Sequence, residues 1–182
     1  MSRIGRAPIA ITNGVTVNME GKVVKVTGPK GTLTQEIDNV INVEIKDGNV
    51  VLTRKNESND AKAKHGLYRS LINNMVVGVT NGYTKKLIIN GVGYKAQLVG
   101  KKLVLNIGFS HLIELNSEEG IIVEVPTQTE IHVSGINKEK VGQFAAQIRD
   151  LKRVEPYHAY GIRYIDEVVV RKQGKTSGKG KK

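Results

Sequence analysis

HGLYRSLINNM (residues 65–75) and VGQFAAQIRDL (residues 141–151) decide how this chain folds. An offset of 76 lays one on the other, so that Gly66 meets Gly142, Tyr68 meets Phe144, Ile72 meets Ile148 and Met75 meets Leu151. In each, apolar residues recur every three or four positions, the spacing that lines one face of an α-helix. Leu67, Leu71, Met75, Tyr68 and Ile72 are expected on that face of the first helix, and Val141, Phe144, Ile148 and Leu151 on that of the second. Other landmarks keep nearly the same interval: Gly28 to Gly108 and Asp47 to Thr127 at 80, Gly82 to Gly161 at 79. A single match has little weight; ordered landmarks with a shared helical register mean an internal duplication.

Short strands surround both helices. Val15, Val17 and Met19 alternate with polar residues, the period of a half-buried strand, and strands follow at 22–27 and 33–37. Asp47-Gly48 reads as the turn of a hairpin joining 43–46 to 50–53. Ser58 or Asn59 is expected to cap a helix that runs to about Val77. The second half repeats the programme with strands at 86–90, 94–99, 103–107, 112–115, 121–125 and 130–134, and a turn at Pro126-Thr127. Asn137 then caps a helix to roughly Lys152, and 162–170 is strand-like. The class is α+β: two tandem copies of a small antiparallel sheet covered by one helix, with a basic C-terminal extension. Boundaries are expected at 1–82 (first copy, with a basic N-terminal arm), 83–175 (second copy) and 176–182 (flexible basic tail).

The chain has 182 residues, a net charge of +11 and no cysteine. That balance favours a polyanionic partner, and the missing thiols fit a reducing compartment. No apolar run is long enough to span a membrane, and no secretory signal is apparent. Catalytic and metal-binding patterns fail. His65, His111, His132 and His158 have no ligand spacing and are expected to be surface or turn residues. Gly91-Val92-Gly93 lacks the third glycine and following helix of a dinucleotide site. Gly174-Lys175-Thr176 lacks the earlier glycine of a phosphate loop. Asp166-Glu167, read as neighbours on a strand, point to opposite faces. No cofactor, metal or small-molecule substrate is expected, and no enzyme.

Charge gathers at the end. Residues 153–182 hold 8 Lys+Arg against 3 Asp+Glu, so +5 of the net charge lies in a sixth of the chain. Tyr157, Tyr160 and Tyr164 are interleaved there with Arg153, His158, Arg163, Arg171, Lys172, Lys175 and Lys179. Cations suit phosphates and aromatic faces suit bases. Lys85, Lys86, Lys95, Lys101 and Lys102 recur at strand ends and turns of the second copy, near Gly91, Gly93 and Tyr94. A lone lysine pair is a solvated strand edge; the joint pattern points to RNA. Two other readings stay open: a free nucleic-acid or membrane-surface module using the tail alone, and an enzyme without a recognisable motif.

The ordered segments SRIGRAPI (2–9), VTGPKGTL (26–33), HGLYRSLINNMVVGVTNGY (65–83), NGVGYKAQ (90–97), LNIGFSH (105–111), VGQFAAQIR (141–149) and EPYHAYGIRYIDEVVVRKQGK (155–175) resemble the bacterial large-subunit ribosomal protein L-six family across essentially the whole chain. The resemblance implies two tandem α+β copies, a structural place in the cytoplasmic ribosome, and binding to 23S rRNA near the factor-binding region and stalk base. It implies that the second copy and C-terminal segment make much of that contact, beside neighbouring large-subunit proteins at the stalk base, without homo-oligomerisation. The candidate contacts are Lys85, Lys86, Gly91, Gly93, Tyr94, Lys95, Arg153, Tyr157, His158, Tyr160, Gly161, Arg163, Tyr164, Arg171, Lys172, Lys175 and Lys179, with Arg3 and Arg6 from the arm. The family's Pro-Glu-Pro-Tyr-Lys-Gly-Lys-Gly-Ile pattern is here Val154-Glu155-Pro156-Tyr157-His158-Ala159-Tyr160-Gly161-Ile162, so His158 and Tyr160 stand where lysines are usual.

Overall fold

The computed structural model describes residues 3–46 and 48–175. The chain divides into unit 1, Met1–Tyr83 with Gly135–Glu139, and unit 2, Thr84–Ser134 with Lys140–Lys182. Asp47, at the expected hairpin turn, lies outside the described residues, as do Lys179 and the rest of the 176–182 tail.

Unit 1 begins with a short helix, α1 (Arg3–Arg6), and a strand, β1 (Ile9–Ala10). β2 (Thr16–Glu20), β3 (Val23–Gly28) and β4 (Gly31–Glu36) form an antiparallel meander. β5 (Ile41–Lys46) and β6 (Asn49–Arg54) form the second hairpin, and β1 joins its edge in the order β1-β6-β5. α2 (Asn59–Thr80) packs on both sheets, started by Ser58, whose hydroxyl accepts the Ala61 N–H at 3.1 Å. The core joins Val24, Val26, Val50 and Leu52 of the sheets to Ile72, Met75, Val76 and Val79 of α2.

Two expectations fail here. Leu67 is 53 % exposed, because the buried stripe runs through His65, Ile72, Met75, Val76 and Val79 and Leu67 projects about 80–180° from these residues around the axis. His65, expected on the surface, is 5 % exposed. Its Nε2 lies 3.0 Å from the Leu52 carbonyl, which can only accept, so Nε2–H donates. The imidazole fills the space above Gly5, where a Cβ would collide with the ring. The N-terminal arm is thereby drawn into the fold, and Arg69 Nε further ties it by donating to Ala7 O at 3.1 Å.

Unit 2 repeats this strand order. β8 (Lys95–Val99), β9 (Lys102–Asn106) and β10 (Ile113–Asn116) form the meander. β11 (Ile121–Thr127), β12 (Glu130–Gly135) and β7 (Tyr83–Asn90) form the second sheet, extended by β13 (Gly161–Tyr164) on the free side of β7. α3 (Lys138–Leu151) buries Val141, Phe144, Ala145 and Ile148. The sheet buries Leu87, Ile89, Ile131, Val133 and Ile162. Asn137 accepts the Glu139 N–H at 2.9 Å, the expected N-terminal cap of α3.

Pro126 is not at a turn but within β11. β11 is the edge strand of its sheet, a position where sheets accommodate proline. The strand expected over 162–170 ends at Tyr164. Glu167 turns the chain: its carboxylate accepts the Tyr164 N–H at 3.2 Å and is gripped by both Nε and Nη2 of Arg149, at 2.9 and 2.6 Å. Asp166 and Glu167 therefore lie at a turn, with Glu167 committed to Arg149.

Candidate nucleic-acid interface

The site grows from the pairing of β13 with β7. Gly161 faces Asn90, Ile162 faces Ile89, Arg163 faces Ile88 and Tyr164 faces Leu87. Gly161 is required twice over: its φ is +139°, and a Cβ there would come within 2.7 Å of the Arg153 carbonyl. Ile162 N–H donates to Lys152 O at 2.8 Å, closing the segment after α3 against β13. Several of the candidate residues thus fall along the β13 edge of the unit 2 sheet and at its two ends.

At the Tyr164 end, Lys85 Nζ lies 5.4 Å from the tyrosine ring centre and the Arg149 guanidinium 5.6 Å from it. Arg163 is half-buried and donates to the Glu167 carbonyl at 3.1 Å, so part of its hydrogen-bonding capacity holds the turn. The Arg149 guanidinium holds the Glu167 carboxyl below the usual carboxylate range. Lys86 is exposed on the same strand.

At the Asn90 end, Gly91, Gly93 and Tyr94 build the turn after β7. The Tyr94 ring packs against Gly91 and Gly108, leaving no room for a Cβ at either, so these candidates shape the turn at least as much as they present it. Asn90 Nδ2 donates to Ala159 O at 2.9 Å and joins that turn to the 155–160 loop. Ala159 is buried with φ 61°, the one non-glycine residue with positive φ among the described residues. An alanine in this region costs about 1–2 kcal/mol. His158 and Tyr160 stack with ring centres 5.4 Å apart and planes 18° from parallel. His158 Nδ1 is 3.2 Å from a Glu155 carboxylate oxygen. Tyr157 is 51 % exposed.

Arg171, Lys172 and Lys175 are exposed, and the Lys172 N–H donates to Pro156 O at 2.8 Å, which brings this basic run beside the aromatic loop. Arg153 Nε donates to Asp150 at 2.8 Å and lowers the pKa of that carboxyl. Lys95 begins β8, whereas Lys101 and Lys102 lie beyond its far end; Lys102 pairs with Glu114 at 3.0 Å. Arg3 and Arg6 are exposed in unit 1, apart from this cluster in the sequence. Sequence reasoning missed Phe109, stacked on His111 at 6.1 Å with Lys152 Nζ 4.9 Å from its ring. The signal was an aromatic residue directly after Gly108. Asn90 was missed because only its tertiary partner gives it a role. Among the described residues, no group of three or more acidic or histidine side chains could hold a metal ion, and no helix is long and apolar enough to cross a membrane.

The sequence profile described as ribosomal protein L6 matches residues 11–82 and 90–165, once in each copy of the duplication. The chain belongs to the ribosomal protein L6 family. A large ribosomal subunit protein uL6 of Carboxydothermus hydrogenoformans is 53 % identical over 182 residues, covering 100 % of both chains. Proteins of the same description from Clostridium botulinum and Clostridioides difficile are 52 % and 50 % identical over 180 residues, covering 98 % of this chain and 100 % of theirs. The family is one of ribosomal structural proteins, and the chain is not an enzyme.

Proposed function

We propose that this structural constituent of the large ribosomal subunit binds 23S rRNA through unit 2, along the β13 edge and the 153–175 segment. It does so near the factor-binding region and the stalk base, beside neighbouring large-subunit proteins, in the cytoplasm. The observation that supports the reading best is the joining of Arg171, Lys172 and Lys175 to the aromatic 155–160 loop through the Lys172–Pro156 hydrogen bond. Cations there neutralise phosphates and release counterions, which supplies affinity. The backbone, fixed by Gly161 and the Arg149–Glu167 grip, supplies the shape that selects a folded RNA. Residues 83–175 carry the main RNA contact and residues 1–82 carry the scaffold.

The test is binding of the full chain to isolated large-subunit RNA and to a generic duplex across a salt series. Preference for the ribosomal RNA by roughly a thousandfold, at the low end for specific protein–nucleic acid pairs, is expected. Equal affinities with a steep salt slope would leave only a basic tail and reject the proposal.

A further inference from the structure

His158 and Tyr160 form an aromatic pair at the surface of the 155–160 loop. Its rings are nearly parallel at 5.4 Å, yet the His158 side chain is 70 % exposed and Tyr160 is 37 % exposed. The stacked pair therefore lies at the surface, with much of its ring area accessible to solvent. The loop that carries it is held from several sides. The Ala159 carbonyl is bound by Asn90, the Tyr160 carbonyl accepts the Glu155 N–H at 3.1 Å, and the Glu155 carboxylate orients the His158 ring. Ala159 between them keeps its unusual positive φ of 61°, a conformation that persists where the surroundings over-determine it.

We propose that His158 and Tyr160 form a stacking platform for a single unpaired nucleobase of the bound RNA, whose flanking phosphates lie against Lys172 and its basic neighbours. This rests on the RNA-binding reading above and names the element of RNA that the loop takes. The occupant is an unpaired base because a base inside an A-form helix has both faces covered by its neighbours, whereas a splayed base offers one. It belongs to a nucleic acid because an aromatic face with cations beside it suits a planar ring on an anionic backbone. Stacking releases no counterion, so the platform contributes to affinity and register without adding to the salt dependence.

The chain contains no tryptophan, so Tyr160→Trp places a single indole reporter in the stack. With the full chain and isolated large-subunit RNA, the indole emission of Tyr160→Trp is quenched on saturation. A generic duplex of equal length leaves the emission unchanged. Tyr160→Ala weakens binding roughly 5- to 100-fold with the salt slope of the parent, whereas Lys172→Ala lowers that slope by about one. Parental affinity of Tyr160→Ala, or unchanged indole emission in the saturated complex, overturns the platform while the parent still prefers ribosomal RNA. Loss of that preference in the parent itself rejects the broader reading as well. Should Tyr160→Ala fail to fold, the emission of Tyr160→Trp decides alone.

Discussion

Units 1 and 2 share a strand order and end differently. In each, a three-strand meander accompanies a sheet whose hairpin takes a third strand at one edge, β1-β6-β5 in one and β11-β12-β7 in the other. Unit 1 turns several of its cations on its own acids and carbonyls. Lys64 lies between Asp38 and Asp60 at 2.6 and 2.7 Å, Arg54 pairs with Glu57, and Arg69 holds the backbone of the N-terminal arm. The two carboxylates raise the Lys64 pKa, and Lys64 lowers that of Asp38. Unit 2 adds β13 outside β7 and then a loop and basic run in which Arg171, Lys172 and Lys175 have no carboxylate partner among the described residues. The common frame recurs in both units, and the added edge is where RNA binding is proposed. Unit 2 pairs some of its cations as well, Arg149 with Glu167, Arg153 with Asp150 and Lys102 with Glu114, so the contrast is confined to the basic run after β13.

Gly161→Ala is expected to separate the units most sharply. It forces a Cβ against the Arg153 and Lys152 carbonyls at an unfavourable φ, costing unit 2 about 3 kcal/mol. Hydrogen exchange should show lost protection at Ile162 and Ile165 with unit 1 unchanged. Parental protection at Ile162 would mean β13 does not depend on that glycine.

His65→Ala is the counterpart in unit 1. Loss of the buried ring and its bond to Leu52 O should cost roughly 2 kcal/mol and expose the N-terminal arm to protease, with RNA affinity kept. A matching fall in affinity would break the division between scaffold and binding face.

Glu167→Gln has a smaller effect, about 1 kcal/mol, with a pH signature. The folded-state pKa of Glu167 is depressed below its ordinary 4.5, so its contribution is fully present above that value and is lost as pH falls through the lowered one. Thermal unfolding of parent and variant should differ at pH 7 and converge in acid. A difference that persists at low pH would show that the carboxylate's charge is not what holds the turn.

Ala159→Gly should change least. Relief of the positive φ offsets the greater freedom of the unfolded chain and the lost methyl, leaving a net change below about 1 kcal/mol. A large loss of stability in a denaturant series would mean that the buried methyl, not the backbone, fixes the loop.

The duplication was legible because helix faces and turn glycines are local signals, and both survive in the strand order. Ser58 and Asn137 were legible for the same reason, since caps act within three residues. His65 was not: a histidine reads as polar, and its burial depends on Gly5, sixty residues away, leaving space for the ring. Leu67 misled because apolar character alone does not choose among neighbouring helix positions. The C-terminal strand was read too long because the Arg149–Glu167 grip that ends it is tertiary. The candidate cations were legible from composition. The His158–Tyr160 stack was not, because it depends on the backbone conformation of the buried alanine between them.

The most direct test reverses three exposed charges in each unit of the full chain and measures affinity for isolated large-subunit RNA. One variant carries Arg171→Glu, Lys172→Glu and Lys175→Glu; the other carries Lys22→Glu, Lys25→Glu and Lys55→Glu. Their net charges are equal, so general repulsion is matched. A loss on the order of a hundredfold for the first, with the second within about threefold of the parent, is the predicted result. Equal losses, or the larger loss in unit 1, would contradict the assignment of RNA binding to unit 2.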